Sequence, residues 1–403
     1  MIPPFFDFLA SKPLYYKEID HERIHRAYDA IRQDFAHPPV IHLVGTNGKG
    51  STGRMIAHLA RSSGMEDGRW KMEDGEGLSN SPLSVGHYSS PHILRFNERI
   101  WIDGEELCDE ALEEAHRRLY SLLGRQMSEA LSYFEYTTLL ALLLFARCDL
   151  IVLEAGLGGE YDATNVAENK LLTVVTPIGL DHQAFLGVTI EEIAATKLRS
   201  IAPGGKVLLA PQPYEAVVSV AERIADERKA KLRIADVSKI QNPKFKTLCQ
   251  EKAWPEFLCR NAAVAFEALE WLGIESDPEA LGSLELFGRY FPVASNVRID
   301  VGHNPLAAKA LAQAIAPGTV LIYNTLADKD YREVLEILRP KIGRVEIQPI
   351  QTQRALPLQE LERTLEEMEI PWSFFDGHLF SHERYLVFGS FYTVEAFLKR
   401  SSC

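Results

Sequence analysis

The chain has 403 residues, of which 46% are hydrophobic and 25% are charged, and its formal net charge is -13. Because this length exceeds what one hydrophobic core usually supports, we expect two domains. The acidic balance and the lack of a basic cluster argue against nucleic acid as a partner, since neutralising a phosphate backbone needs a positive surface.

The N-terminus and the cysteines bear on the cellular compartment. Residues 1–24 carry prolines and acidic residues where a signal peptide needs basic ones, and no apolar run reaches membrane-spanning length. The five cysteines, at positions 108, 148, 249, 259 and 403, show no C-x-x-C spacing, so we expect neither a zinc site nor a disulfide framework. We therefore expect a soluble, cytoplasmic protein with no membrane partner.

Apolar runs typical of buried parallel strands alternate with helical patterns in the first part of the chain. The predicted strands lie at 40–45, 150–156, 171–179 and 206–210, and the predicted helices at 51–63, 105–124 and 136–147. This alternation predicts an α/β domain with a doubly wound sheet. Residues 66–84, which contain glycine, serine and acidic residues without periodicity, are predicted to form a surface loop.

A second unit of alternating strands and helices follows "FGRYFPVASNVRID". Its predicted strands lie at 296–301, 319–324, 344–350 and in "YLVFGS", and its predicted helices at 306–315, 331–339, 357–368 and after the last strand. Four such strands over a segment of ordinary domain size indicate a small Rossmann-like domain. We place the boundary so that residues 1–292 form the N-terminal domain and residues 293–403 the C-terminal domain.

The stretch "GTNGKGST" lies between the first predicted strand and its helix. Its glycines allow backbone N–H groups to approach an anion, the helix N-terminus adds a favourable dipole, and Lys49 adds a charge. It departs from the usual phosphate loop, because Leu43 replaces the first glycine and Gly50 separates Lys49 from Ser51. ATP binding is the prediction, and an ordinary glycine turn is the alternative.

Other polar groups follow predicted strands or open predicted helices. Glu154 and the pair Asp181 and His182 each come after a strand, where doubly wound sheets bind ligands, and together they could share a magnesium ion. In "GHYSSPHILRFNERI" at 86–100, hydroxyl, imidazole and cationic groups surround one turn, although a capped turn with a solvated basic face explains them equally well. Asn261 is predicted to begin a helix, with an N-cap role as the alternative.

In this order, the motifs resemble those of the ATP-dependent Mur ligase superfamily, in its folylpolyglutamate synthase/dihydrofolate synthase branch. The resemblance rests on "GTNGKGS", "SSPH", "GLGGEYDATNV", "GLDH" and "D-x-x-HNP", and it includes "LADKD" at 326–330. It implies an N-terminal ATPase domain with a parallel-rich sheet, a smaller Rossmann-like C-terminal domain, and ATP with Mg²⁺ held between the two.

The resemblance also implies a role for individual residues. The magnesium ligands would be Ser90, Glu154, His182 and a carbamylated Lys197, so that Ser90 supplies the hydroxyl missing after Lys49. The nucleotide would contact Asn47, Gly48, Lys49, Gly50, Ser51, Asn261, Arg289, Asp300 and His303. The pterin substrate would contact Ser132, Phe134, Glu135, Tyr161, Asp162 and Ala163, together with residues 20–23. Lys49, His182 and Lys197 would be the catalytic residues.

Lys197 is also placed by the pattern of its own helix. Ile190, Ile193, Ala194 and Lys197 share one helical face, so we expect the lysine to point inward. A buried lysine has a lowered pKa, which favours carbamylation. A lysine that extends to solvent beside Arg199 is the alternative.

The reaction implied by the resemblance is ATP-dependent addition of L-glutamate to a folate or dihydropteroate carboxylate through an acyl phosphate, by a monomer. Another Mur-type amide ligase and a non-catalytic nucleotide-binding switch remain alternatives. The chain departs from the family pattern at "LRSI" after Lys197 and at Glu160-Tyr161, where a basic and an apolar residue are common.

Overall fold

The computed structural model describes residues 2–13, 20–63 and 83–401. Residues 66–82 of the predicted surface loop lie outside the described residues. The strands are β1 Val40–Val44, β2 Val85–Tyr88, β3 Ile100–Ile102, β4 Glu105–Glu106, β5 Leu150–Glu154, β6 Lys170–Val175, β7 Lys206–Leu209, β8 Lys231–Ile234, β9 Phe291–Ala294, β10 Val297–Ile299, β11 Thr319–Tyr323, β12 Ile342–Ile347, β13 Trp372–Phe374 and β14 Tyr385–Phe388. The α-helices are α1 Phe5–Ala10, α2 Glu22–Ile31, α3 Lys49–Ser62, α4 Asp109–Ala130, α5 Tyr133–Leu144, α6 Gln183–Leu186, α7 Ile190–Leu198, α8 Glu215–Arg228, α9 Pro243–Glu251, α10 Glu256–Trp271, α11 Pro305–Ala314, α12 Tyr331–Leu338, α13 Leu358–Glu367 and α14 Phe391–Ser401.

The first eight strands form one sheet in the order β4-β3-β2-β5-β1-β6-β7-β8. The six strands from β2 to β8 in this order run parallel, and β3 and β4 add an antiparallel edge. Every residue of β1 and β5 is buried, as expected for central strands that are covered on both faces. The prediction of a parallel-rich α/β sheet is confirmed.

Helices cover both faces of this sheet. On one face, α3, α9 and α10 pack against Ile41 and Leu43 of β1. On the other face, α4 and α5 cover the β2–β5 side and α7 and α8 cover the β6–β7 side. The carboxyl ends of β1, β5 and β6 therefore meet at one edge of the sheet, with α3 starting directly after β1.

The second sheet has six strands in the order β13-β12-β11-β14-β10-β9, all parallel except β9. The prediction of four strands was too low, because the short strands β9 and β13 carry exposed side chains and show no apolar run. The Rossmann-like architecture itself is confirmed. The division at 292/293 stays a proposal, and it falls inside β9, the edge strand of this sheet.

Two local expectations are wrong. Cys249 and Cys259 form a disulfide that joins α9 to α10, which the absence of a recognised cysteine spacing could not indicate. Asn261 does not begin a helix, because α10 starts five residues earlier, after Pro255.

None of the described helices combines the length and apolar character that crossing a bilayer requires.

Candidate active site

A cavity of about 410 Å³ lies between the carboxyl edge of the first sheet and the helix that follows β10 of the second. Its walls include every residue predicted to bind nucleotide or metal: Asn47, Gly48, Lys49, Gly50, Ser51, Ser90, Glu154, His182, Lys197, Asn261, Arg289, Asp300 and His303. These residues are spread over more than 250 positions of sequence, so only the fold brings them together. Their individual roles remain predictions.

The loop between β1 and α3 needs two of its glycines for steric reasons. Gly48 has φ 87°, in the left-handed region, and a β-carbon there would lie 3.3 Å from the Asn261 amide. A β-carbon on Gly45 would lie 2.0 Å from the Thr176 hydroxyl oxygen. The Asn261 amide also donates to the Ser51 hydroxyl at 2.9 Å, so α10 supports the start of α3 from inside its own second turn.

Lys49 and Lys197 converge on one carbonyl oxygen. The Nζ atoms of Lys49 and Lys197 lie 3.1 Å and 3.0 Å from the backbone carbonyl oxygen of Gly45. Lys49 also donates a hydrogen bond to the backbone carbonyl of Thr46. The Lys49 ammonium, with the Lys197 amine beside the same loop carbonyl, forms a positive centre at the carboxyl end of β1. Such a centre suits an anionic ligand.

Lys197 is only 4% exposed, so the alternative in which it extends to solvent is wrong. Burial, with the nearby charge of Lys49, lowers the pKa of Lys197 to about 7. Most of the helical face predicted to point inward does so, since Ile193 and Ala194 are also buried and Ile190 is partly buried. A side chain in this state offers a neutral amine at physiological pH, which is the form that reacts with carbon dioxide.

Glu154 lies against the phosphate loop. Its carboxylate accepts from the Ser90 N–H at 3.3 Å, and a β-carbon on Gly50 would lie 3.4 Å from it and 3.1 Å from the Arg289 guanidinium. Burial raises the pKa of Glu154, opposed by the charges of Lys49 and Arg289. A buried carboxylate that accepts a single backbone hydrogen bond keeps lone pairs with which it could bind a divalent ion.

His182 follows the β6 end and is neutral, because burial lowers its pKa to about 4. A neutral imidazole retains a lone pair for a metal. Among the described histidine, cysteine and acidic side chains, the group close enough to share an ion is Asp181, His182 and His303. Asp181, however, is already paired with a cation.

That pairing joins the two sheets, and sequence reasoning missed it. Asp181 accepts from Lys329 Nζ at 2.7 Å and from the Asn304 amide at 3.1 Å, and it lies 3.5 Å from His303 Nε2. Burial alone would raise the pKa of Asp181, but the hydrogen bond and charge of His303, with His182 and Lys329, hold the pKa well below its usual range. A lysine between two acids in "LADKD" was the available signal for Lys329.

The residues predicted to contact the pterin lie outside the lining of this cavity. Ser132 and Glu135 form the capping box of α5, and Glu135 also pairs with Arg23 at 2.8 Å. The Phe134 ring packs close to Gly156, which does line the cavity. Tyr161 is 59% exposed, and its ring contacts the His21 ring at a centroid distance of 4.1 Å with the planes tilted by 33°.

Asp162 and Ala163 are buried at the end of the loop formed by residues 156–162, which we call the 156–162 loop. Within this loop, the Glu160 carboxylate lies 3.5 Å from the Arg199 guanidinium. Two departures from the family pattern, Glu160-Tyr161 and the "LRSI" that follows Lys197, therefore contact each other.

The predicted basic face at 86–100 is only partly solvated, because Arg99 is buried and donates to His92 at 2.8 Å.

Comparisons with known proteins give a consistent result, although no family model matches the chain. The chain is 30% identical over 418 residues to the dihydrofolate synthase/folylpolyglutamate synthase of Haemophilus influenzae, covering 91% of this chain and 90% of that protein. The crystal structure of Helicobacter pylori folylpolyglutamate synthetase matches with a TM-score of 0.75 and 37% identity, over 98% of this chain and 97% of that one.

Two ligand complexes also match. Escherichia coli FolC in complex with DHPP and ADP has a TM-score of 0.81 and 28% identity, over 98% of this chain and 97% of that one. A bifunctional folylpolyglutamate synthase/dihydrofolate synthase from Yersinia pestis, complexed with AMPPNP and Mn ion, has a TM-score of 0.81 and 26% identity, over 100% and 98%.

Proposed function

This chain belongs to the dihydrofolate synthase/folylpolyglutamate synthase family, and from that premise we propose that its cavity binds ATP and a divalent metal and joins L-glutamate to a pterin-bearing acid. It is an ATP-dependent acid–amino-acid ligase. The observation that carries the proposal is the convergence of Lys49, Lys197, Glu154 and His182 on one cavity, beside the loop that follows β1.

ATP fits the division of the cavity lining into charged and apolar parts. Lys49, Arg289 and the backbone of the phosphate loop line the cavity and would face the anionic end of a nucleotide. Apolar side chains of α10 and α11, including Phe257, Leu306 and Leu311, also line the cavity and suit an adenine ring. The known complexes of relatives with ADP and AMPPNP support this assignment.

Magnesium fits the donor set. The Glu154 carboxylate is buried and has one backbone donor from Ser90, so it retains lone pairs for an ion, and His182 is neutral. The Ser90 hydroxyl, the Glu154 carboxylate and the His182 imidazole would hold it, and a carbamylated Lys197 would add a further oxygen ligand. When bound, the ion supplies charge neutralisation on the phosphates.

The reaction needs positioning and charge stabilisation more than a side-chain nucleophile. The carboxylate of the acid substrate attacks the γ-phosphorus of ATP, ADP leaves, and an acyl phosphate forms. The amine of glutamate then attacks the acyl carbon and phosphate leaves, giving the amide. Lys49 and Arg289 stabilise the negative charge that spreads over the transferred phosphoryl group.

We expect Ser90→Ala, Glu154→Ala and His182→Ala each to raise the magnesium concentration for half-maximal activity by about tenfold or more, because each removes one ligand of a small hard ion. Magnesium titrations of ADP release measure this shift. Ser89→Ala is the matched control, since Ser89 is the neighbouring hydroxyl and does not line the cavity. An unchanged midpoint in all three variants would remove these residues from the metal site.

The acid substrate can be identified by ADP release with dihydropteroate, with tetrahydrofolate and with no acid, each with and without L-glutamate. We expect release that depends on both an acid and glutamate. Release independent of glutamate would instead support a nucleotide-binding switch. Turnover only with a nucleotide-linked acid would support another Mur-type amide ligase.

A further inference from the structure

His42 is a buried histidine outside the cavity lining, in the strand that leads into the phosphate loop. It is 0% exposed, and its Nε2 lies 2.8 Å from the Thr164 hydroxyl oxygen. That hydroxyl in turn donates to Asp162 Oδ1 at 2.5 Å. Strand β1 is thus connected through two side chains to the end of the 156–162 loop.

The direction of this connection follows from counting protons. Thr164 has one hydroxyl proton and donates it in the hydrogen bond to the Asp162 carboxylate, so the same oxygen accepts a hydrogen bond from the His42 Nε2–H. His42 therefore carries its proton on Nε2, and its Nδ1 has no hydrogen-bond partner in the described part of the chain. Burial lowers the pKa of His42 well below its ordinary value, so the ring is neutral.

The far end of the connection shapes the 156–162 loop. Asp162 accepts from the Thr164 N–H at 3.0 Å through one oxygen and from the Leu157 N–H at 2.7 Å through the other. Its carboxylate therefore closes the loop between residues 157 and 164. A rotation of this carboxylate would release the Leu157 end.

The closed loop rests on the helix that carries Lys197. The Glu160 N–H donates to the Thr196 carbonyl at 2.9 Å, and a β-carbon on Gly159 would lie 2.3 Å from the Lys197 carbonyl oxygen. Because the Gly159 backbone lies so close to the Lys197 backbone, a shift of the 156–162 loop would change the distance between the loop and Lys197. Gly156 and Leu157, at the start of the loop, are themselves part of the cavity wall.

We infer that His42 and Thr164 are positioning residues for the acid substrate: they orient Asp162, and Asp162 holds the 156–162 loop at the place where the acid meets the phosphate site. This inference rests on the proposed function. Neither residue lines the nucleotide cavity, so we expect their loss to weaken binding of the acid more than binding of ATP. The Gly45 carbonyl oxygen accepts hydrogen bonds from Lys49 and Lys197, and Gly45 lies only three residues after His42. This short chain segment connects the phosphate site with the residues that position the acid substrate.

The test compares Thr164→Val, which keeps the shape of the side chain but removes the hydroxyl, with Thr164→Ser, which keeps the hydroxyl. A second pair is His42→Leu and His42→Gln, because the glutamine amide can donate from nearly the position of Nε2. Thr173→Val is the matched control, since Thr173 is a buried threonine that lies beside His42 in the register of β1 and β6. All are measured as full-length enzyme.

We expect Thr164→Val and His42→Leu to raise the KM for the acid substrate by about tenfold, while the KM for ATP changes by less than about twofold. Thr164→Ser and His42→Gln should recover most of the loss, and Thr173→Val should resemble the wild type. Titration of dihydropteroate by its own fluorescence checks acid binding without turnover. Equal changes in both KM values, or a lower melting temperature with no change in either KM, would overturn the inference.

The wild-type arm separates this inference from the function on which it rests. If the wild-type enzyme shows no acid-dependent turnover with any pterin acid, the proposed function fails. If the wild type turns over and the variants keep its KM for the acid, only the positioning role fails.

Discussion

We expect Lys49→Ala to lower ligase turnover by about a thousandfold while leaving the fold intact, because it removes a cation that would stabilise the charge developing on the transferred phosphoryl group. The Lys49 ammonium donates hydrogen bonds to two loop carbonyls, those of Gly45 and Thr46, and to no core side chain within the described ranges. Its loss therefore affects the ligand more than the protein. The measurement is kcat for glutamate-dependent ADP release, with the melting temperature recorded in parallel.

The controls for Lys49 separate charge from simple loss of a lysine. Lys309→Ala removes an exposed lysine that pairs with Glu333 and should leave the rate unchanged. Lys49→Arg keeps the positive charge but changes its shape, and an intermediate rate is expected. If Lys49→Ala keeps more than a tenth of the wild-type rate, the loop is not a phosphate cradle.

Loss of Lys197 is expected to reduce ligation by about a hundredfold or more, since it removes the amine whose carbamate would bind a metal. Lys197→Ala and Lys197→Met should both lose activity, and Met keeps the packing of the side chain. Added short carboxylates should partly restore Lys197→Ala. A fully active Lys197→Met enzyme would exclude the carbamate.

Carbamylation also predicts a pH and carbon dioxide dependence. The pKa of Lys197 is about 7 in the folded protein, against an ordinary value of 10.5, so its neutral amine is present above about pH 7 and is lost as the pH falls through that value. We expect activity at a fixed carbon dioxide concentration to rise as the pH increases through about 7, and to fall after carbon dioxide is removed.

The unmodified lysine also affects stability. Between about pH 7 and pH 10.5 the unfolded chain binds more protons than the folded protein, so the free energy of unfolding increases with pH in this interval.

The carbamate itself can be observed by carbon-13 NMR after labelling with bicarbonate. Lys12 is also buried and Lys170 is half-buried, and burial lowers the pKa of each to about 8. Lys197→Met is therefore the decisive comparison. A carbamate signal that persists in Lys197→Met belongs to another lysine, whereas its loss assigns the signal to Lys197.

Much of the site followed from local sequence. The apolar runs at β1, β5 and β6 predict buried parallel strands, and polar residues directly after such strands must meet at one edge of the sheet. For this reason Lys49, Glu154 and His182 could be placed near one another before the fold was known. The inward face of α7 similarly placed Lys197, because helical periodicity is a local property.

Tertiary structure alone decided how side chains far apart in sequence pair. Asp181 with Lys329, and His42 with Thr164, are separated by more than 100 residues, and no periodicity or spacing links them. A buried hydrogen bond depends on the angle and distance between two elements, which local patterns do not specify. The sequence by itself therefore determined the strands, the phosphate loop and the predicted ligands at the strand ends. The packing of α7, the 156–162 loop and the second sheet decided which of these groups are buried, paired and neutral.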